Sequence, residues 1–402
     1  MKILHTSDWH LGHTLYGIDR KEEQVNMLKQ IVEIAKKETP DAFLLSGDVY
    51  DNAQPSAAAQ EMFSDTMASL REAVPDMAII VTAGNHDSGS RHEAFQSLLN
   101  KLGIHAIGTL DKTQPQNHII ELTGKGYIIA LPYAHEQYIP DGYYDSLNNM
   151  IEEQNTNNLP VVMMAHTTVK NADYHGHTNN ASDKIIGGIE GIDVDCLGNG
   201  YDYLALGHIH RPQTMGVKGS NRLIRYCGTP IATSFDEDYY EGTNKNKETH
   251  SVSMVEITKR GDKPTIKTIE IRNPYPLVTL PTDEPKPWNE VKEIFSKYPS
   301  DLKTYIRLNV AITDSLPSMA HSEAQEIALN KSCHFCLINA VRTEKEHRAN
   351  HRVMEISELQ RMDPLDILKQ FYNDKKGLTL PEEMEKLFME AVKELNEENR
   401  EA

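Results

Sequence analysis

Lys2-Ile3-Leu4-His5-Thr6-Ser7-Asp8-Trp9-His10 reads as a short apolar strand that runs straight into a carboxylate and an imidazole. The same pattern recurs along the first 210 residues. Lys2–Thr6, Ala42–Ser46, Ala78–Thr82, Tyr127–Leu131, Val161–Ala165 and Tyr203–Leu206 are all short, and most are rich in Ile, Val, Leu or Met, as strands of a buried sheet require. Between the first two, Val25, Leu28, Ile31, Val32 and Ala35 share one face of a helical pattern. A second such pattern covers Ala58–Leu70, with Met62, Phe63, Met67 and Leu70. This alternation predicts an α/β fold of sheets covered by helices.

Five polar motifs follow the strands: Asp8-Trp9-His10, Gly47-Asp48-Val49-Tyr50-Asp51, Gly84-Asn85-His86-Asp87, Ala165-His166 and Gly207-His208-Ile209-His210. Each begins within two or three residues of a strand's C-terminal end, the edge where α/β sheets bind ligands. Residues two apart on extended backbone point the same way, so Asp8 can act with His10, and His208 with His210. Gly47, Gly84 and Gly207 precede the polar groups and permit a sharp exit from the strand. Singly, each motif has an ordinary structural explanation: Asn and Gly favour turns, and lone histidines are usually structural. Together, in order and at strand ends, they specify a metal site. Asp8, His10, Asp48, Asn85, His166, His208 and His210 are too many donors for one tetrahedral ion. They suit two ions sharing a carboxylate, spaced ~3.5–4 Å apart as in phosphoesterases and nucleases. Mixed carboxylate and imidazole donors favour Mn, Fe or Zn over Ca or Mg alone. His5, His13, His92, His175 and His177 lack this placement and read as structural or surface groups.

The 402 residues suffice for two or three domains with an ample core. No apolar run approaches a membrane span, and a cleaved leader would remove Asp8 and His10. Four sparse cysteines fit a reducing cytoplasm. Cys333 and Cys336 form a lone CxxC without a second pair, and so read as incidental residues of a strand. The net charge of −18 argues against broad DNA binding through the chain's own surface.

After His210 the pattern turns to strands alone: Arg222–Cys227, His250–Ile257 and Thr265–Ile271, expected to complete a second sheet packed on the first. Five prolines from Pro274 to Pro287 read as a linker or boundary. Helices at Trp288–Phe295 and Ser322–Asn330 then alternate with strands at Thr304–Val310 and His334–Val341 as a small α/β module. In the tail, Asp363-Pro364 and Pro381-Glu382-Glu383 open two amphipathic helices. Leu365, Leu368, Phe371 and Tyr372 form the first apolar face, and Met384, Leu387, Phe388, Ala391, Val392 and Leu395 the second. The expected organisation is a two-sheet sandwich flanked by helices over 1–272, a small α/β capping domain over 273–350, and a helical tail over 351–402.

The motifs, in this order, resemble the calcineurin-like metallophosphoesterase superfamily across roughly residues 1–260. Thr6-Ser7-Asp8-Trp9-His10-Leu11-Gly12, Gly84-Asn85-His86-Asp87-Ser88 and Ala205-Leu206-Gly207-His208-Ile209-His210-Arg211-Pro212-Gln213 are similar to the SbcD family of bacterial nuclease subunits. So are Gly228-Thr229-Pro230-Ile231, Ser234-Phe235-Asp236-Glu237, Ile356-Ser357-Glu358-Leu359 and Asp363-Pro364-Leu365; in the less similar segment 167–200, Ile186-Gly187-Gly188 fits. The resemblance implies one metal on Asp8, His10, Asp48 and His210, and another on Asp48, Asn85, His166 and His208, manganese before magnesium. It makes His86 a non-ligand catalytic histidine beside the scissile phosphate, and Asp51 a residue that orients a ligand. It implies a DNA nuclease with double-strand 3′–5′ exonuclease and single-strand or hairpin endonuclease activity. The implied partner is the SbcC ATPase, docked through residues 352–402, with a homodimer inside a heterotetramer. A small-molecule phosphodiesterase or pyrophosphatase of the same superfamily shares these motifs. An inactive scaffold would have lost ligands, and all seven are present.

Overall fold

The structure is a computed structural model of the 402-residue chain. It describes residues 1–94, 96–173, 191–237 and 250–342, and in the tail 365–369, 372, 380–381 and 384–389. The chain divides into two compact units, Met1–Arg342 and Thr343–Ala402.

Two six-stranded sheets form the body of the first unit. One runs Thr265–Glu270, Ser251–Glu256, Lys2–Thr6, Ala42–Ser46, Ala78–Thr82, Ile104–Ile107. The other runs Gln213–Gly216, Leu223–Tyr226, Tyr203–Gly207, Val161–His166, Gly126–Ala130, Ile119–Leu122. Their central strands are parallel and buried on both faces, which is why their sequences are nearly continuous apolar runs. Alternate residues divide between two cores. Ile3, Leu44 and Ile80 meet Ile128, Val162, Met164 and Ala205 between the sheets. Leu4, Phe43, Leu45, Ile79 and Val81 face outward onto the helices Lys21–Glu38 and Ala57–Ala73, against Met27, Ile31, Met62 and Leu70. The first helix carries Glu22 and Glu23 in its first turn and Lys36 and Lys37 in its last, matching its dipole. Ser56 caps the second by accepting from the Ala59 N–H at 3.2 Å. The second sheet's outer face packs on the helix Tyr143–Gln154 through Tyr143, Leu147 and Ile151.

Two expectations are corrected. Ser251–Glu256 and Thr265–Glu270 do not extend the second sheet; the former runs back beside Lys2–Thr6 in the first, the latter pairs outside it at the edge, and of the three only Leu223–Tyr226 joins the second. The proline-rich stretch is not merely a linker. Leu277–Leu280 is an edge strand, parallel to Tyr305–Ile312, with Pro276 and Pro281 just outside it where no ladder N–H is needed.

Residues 277–342 form a three-stranded parallel sheet, Leu277–Leu280, Tyr305–Ile312, His334–Arg342, with the helices Trp288–Lys297 and Ala320–Ala328. Trp288, Val291, Phe295, Ile306, Leu308 and Val310 make its own core. This module joins the body through a second cluster, Leu15, Phe235, Tyr275 and Tyr305. Beside it lies a buried polar knot. Arg20 donates to Glu23 Oε2 at 2.9 and 2.6 Å and to the Ala232 carbonyl at 2.6 Å. The Tyr305 hydroxyl donates to the other Glu23 oxygen. Arg307 also pairs with Asp236.

In the second unit, residues 365–369 and 384–389 are helical, and Lys369 Nζ meets Glu385 Oε1 at 2.6 Å. Met384, Leu387 and Met389 are exposed. Phe371, Ala391, Val392 and Leu395 lie outside the described residues, as do Gly187 and Gly188 of the segment 167–200. Among the described residues no helix is long and apolar enough to cross a membrane.

Glu23→Ala leaves the Arg20 guanidinium buried without its carboxylate. It is expected to destabilise the first unit by about 3–5 kcal/mol, read as a lowered urea midpoint of the full chain; an unchanged midpoint would show that water replaces the carboxylate.

Candidate metal centre

The sharp exits from the strands place the polar groups. Asp8, His10, Asp48 and His208 have φ of 54°, 44°, 47° and 94°, in the left-handed region that non-glycine residues seldom occupy. Asp8 and His10 therefore converge because the chain coils after the strand, not because extended backbone aligns residues two apart. Close approach explains two glycines. A Cβ at Gly47 would lie 2.1 Å from His166 Nδ1, and one at Gly84 would lie 2.0 Å from Asp48 Oδ1.

All seven expected donors meet in one place. His10 Nε2 lies 3.1 Å from His210 Nε2 and 3.7 Å from Asp48 Oδ2. On the other side of that carboxylate, His166 Nε2 lies 3.3 Å from the same Asp48 oxygen. Asn85 Oδ1 is 3.0 Å from both His166 Nε2 and His208 Nδ1. Asp8 Oδ1 accepts from the His208 main-chain N–H at 2.9 Å, and Asp8 Oδ2 is buried without a hydrogen-bond partner. Three ligand-distance groupings emerge: Asp8 with His10 and His210, Asp8 with Asp48 and His166, and His10 with Asp48 and His86. Facing imidazole nitrogens, a shared carboxylate and an orphaned carboxylate oxygen fit a pair of divalent cations.

His86 packs edge-on to His10, with ring centroids 4.9 Å apart, and its Nδ1 donates to the Asp51 carbonyl at 2.9 Å. Its Nε2 is thus left to face the centre. Asp51 acts on His86 through its main chain, while its carboxylate stands 3.7 Å from His10 Nδ1.

Several groups position the donors in roles the sequence did not assign, although Glu237 and Asp87 stand in quoted motifs. Glu237, 1% exposed, accepts from His210 Nδ1 at 2.8 Å, and the Ser46 carbonyl accepts from His166 Nδ1 at 2.9 Å. Each bond fixes a tautomer that turns Nε2 toward the centre. Gln24 donates to the His10 carbonyl at 2.9 Å. Asp87 accepts from the main-chain N–H groups of Gly84, Val49 and Tyr50, and so ties two ligand loops together. Tyr133 stands at the mouth, its ring 6.3 Å from that of His166, and its phenol is raised by burial and by the Asp48 carboxylate. His5 lies between the sheets, bonded to Tyr203 and Ser46, with burial and then Arg225 lowering it to about 3. His92 is buried and pairs with Asp87, and burial foremost lowers His13 to about 4. His175 and His177 lie outside the described residues. Cys333 and Cys336 are free thiols and join no ligand grouping among the described residues.

Charge is arranged to receive metal. Burial opposes a positive His166, but the adjoining Asp48 carboxylate outweighs it and lifts the imidazole to about 9. Burial is likewise outweighed at His210, chiefly by Glu237, which raises it to about 9. Burial would raise Asp48, yet His166 and its neighbours hold it well below the usual carboxylate range, while burial does raise Asp8. Burial drives His10 far below the ordinary histidine value.

The metal-free centre therefore holds protons on His166 and His210 at neutral pH, and metal binding requires those nitrogens bare. Manganese added at pH 7 is expected to release about two protons per chain, followed with an indicator in weak buffer. Affinity should fall as pH drops below about 9 and level off above it; uptake without proton release would contradict these protonation states. Glu237→Ala is expected to weaken metal binding about 10- to 100-fold by freeing the His210 ring, measured by calorimetry; an unchanged affinity would remove Glu237 from this role.

The model of the calcineurin-like phosphoesterase family matches residues 1–212. The SbcD subunit of the SbcCD nuclease from Bacillus subtilis is 31% identical, covering 99% of this chain and 100% of that protein. Its counterpart of the same name from Rhodobacter capsulatus is 30% identical over 72% of this chain and 74% of its own length. The DNA double-strand break repair protein Mre11 of Sulfurisphaera tokodaii is 27% identical over 74% and 69%. The chain belongs to the calcineurin-like phosphoesterase family, among its SbcD nuclease subunits.

Proposed function

We propose that the chain is a DNA nuclease that hydrolyses phosphodiesters with two divalent ions, manganese foremost, held by Asp8, His10, Asp48, Asn85, His166, His208 and His210. The observation that carries this reading is Asp48, whose Oδ2 lies between His10 Nε2 and His166 Nε2 and so serves both positions. Such ions, when bound, supply Lewis acidity toward a phosphate and toward the attacking water. Asp48, Asn85 and the imidazoles set the geometry, with Glu237 and Ser46 fixing two of the rings. His86, with Nδ1–H committed to the Asp51 carbonyl, presents Nε2 to the reacting phosphate. From there its ring can neutralise charge on the transition state and serve the departing sugar oxygen as a proton donor. Similarity over the whole length to a protein named as a nuclease component weighs against a small-molecule phosphodiesterase.

The finer reading extends the family's pattern: 3′–5′ exonuclease action on duplex ends, endonuclease action on single strands and hairpins, and a cytoplasmic role in recombination and replication. The domains proposed are a nuclease domain over 1–272, a cap over 273–350 and a docking tail over 351–402. Residues 352–402 dock the SbcC ATPase, with two copies of this chain in a heterotetramer. That partner offers a source of the DNA attraction that a net charge of −18 does not provide.

Purified chain with manganese should cleave hairpin DNA and lose the activity to chelator. Hydrolysis of a small phosphodiester with DNA left intact would overturn the nuclease reading. His86→Ala should keep both metals and lose about 10²–10⁴-fold in kcat; loss of metal in that variant would make His86 a ligand instead. Truncation before residue 352 should abolish association with the ATPase while nuclease activity persists, and a truncated chain that still copurified with it would move the docking site elsewhere.

A further inference from the structure

Among the described residues the large aromatic side chains exposed by more than a third are Tyr16, Tyr133 and Tyr138, at 55%, 38% and 59%. Tyr133 is the one against a proposed ligand, its ring at 81° to the His166 imidazole. Its backbone is pinned there: Tyr133 N–H donates at 2.8 Å to the carbonyl of Ala83, two residues before Asn85. Among the described residues its hydroxyl makes no hydrogen bond, so no polar contact of the fold explains the ring's position. Farther along the same loop, Tyr138 packs against His135 and lies under Lys112, whose Nζ is 5.4 Å from the ring centroid. Aromatic faces interleaved with cations are how proteins hold unpaired nucleotides without reading sequence. Stacking also gains nothing from net positive charge, which this chain lacks.

Resting on the nuclease reading, we propose that Tyr133 is a stacking platform for an unpaired nucleobase next to the scissile phosphate. The base of a nucleotide whose phosphate sat in the centre would lie one sugar away, and this exposed ring stands 6.3 Å from that of His166. A base still paired inside a duplex cannot present its face to the ring, so the platform selects single-stranded, hairpin-loop or frayed terminal nucleotides. Tyr133 is a specificity-determining residue for that substrate class.

The test uses full-length chain, manganese and a single-stranded oligonucleotide in which one abasic nucleotide is moved position by position. Wild type should show KM raised roughly fivefold or more at one position near the cut. Tyr133→Phe should keep that profile. Tyr133→Leu should show a flat profile, with KM at the raised level throughout. A leucine variant that keeps the wild-type sensitivity, or a phenylalanine variant that matches leucine, overturns the proposal. Should the leucine variant fail to fold, Tyr133→Trp decides: deeper sensitivity at the same position supports stacking, and sensitivity no greater than wild type overturns it. Wild type that cuts a small phosphodiester but no oligonucleotide fails the nuclease reading and this proposal together. Wild type that cuts the oligonucleotide and is indifferent to abasic positions fails stacking alone.

Discussion

Asp8 and Asp48 are buried side by side, 1% and 2% exposed, within ligand reach of the same His166 nitrogen. Two ionised carboxylates cannot share so dry a space without positive charge between them. The rest of the centre answers that requirement. Imidazoles stand on three sides, Glu237 and the Ser46 carbonyl keep them oriented, and glycines allow the chain to come close enough. The carboxylates beside His166 and His210 raise both imidazoles, and so favour positive charge between them.

The strands that carry this centre were legible because they are buried on both faces. Such strands can only be written as apolar runs, and Lys2–Thr6, Ala42–Ser46 and Ala78–Thr82 begin and end where their sequences say. Ile104–Ile107 and Gln213–Gly216 were not legible, because four residues at a sheet edge carry little pattern. Nor was the destination of Ser251–Glu256. An antiparallel strand beside Lys2–Thr6 looks the same in sequence as one beside Leu223–Tyr226, and only the long return of the chain decides between them. The donors themselves were legible through type and position. The roles of their supports were not: Glu237 stands in a quoted motif, but it reaches His210 from another turn of the chain, with no fixed spacing to assign the pair.

One loop links the module of residues 277–342 to the centre. Phe235 packs with Tyr305 in the shared cluster, Asp236 pairs with Arg307, and Glu237 orients His210. Three consecutive residues thus face the joining cluster, the Arg307 charge and the His210 ring in turn. The strand Tyr305–Ile312 is thus linked to His210 through that turn, as it is to His10 through Glu23 and its neighbour Gln24.

The proposed donors are dealt out by sheet: Asp8, His10, Asp48 and Asn85 follow strands of the first, and His166, His208 and His210 follow strands of the second. Cations held between them are a clasp across the sandwich. Ions that bind only the folded form add roughly 2.7 kcal/mol to its stability at a hundredfold excess over the dissociation constant. With ions on these donors, metal supply would set the stability of the folded chain as well as its rate of hydrolysis.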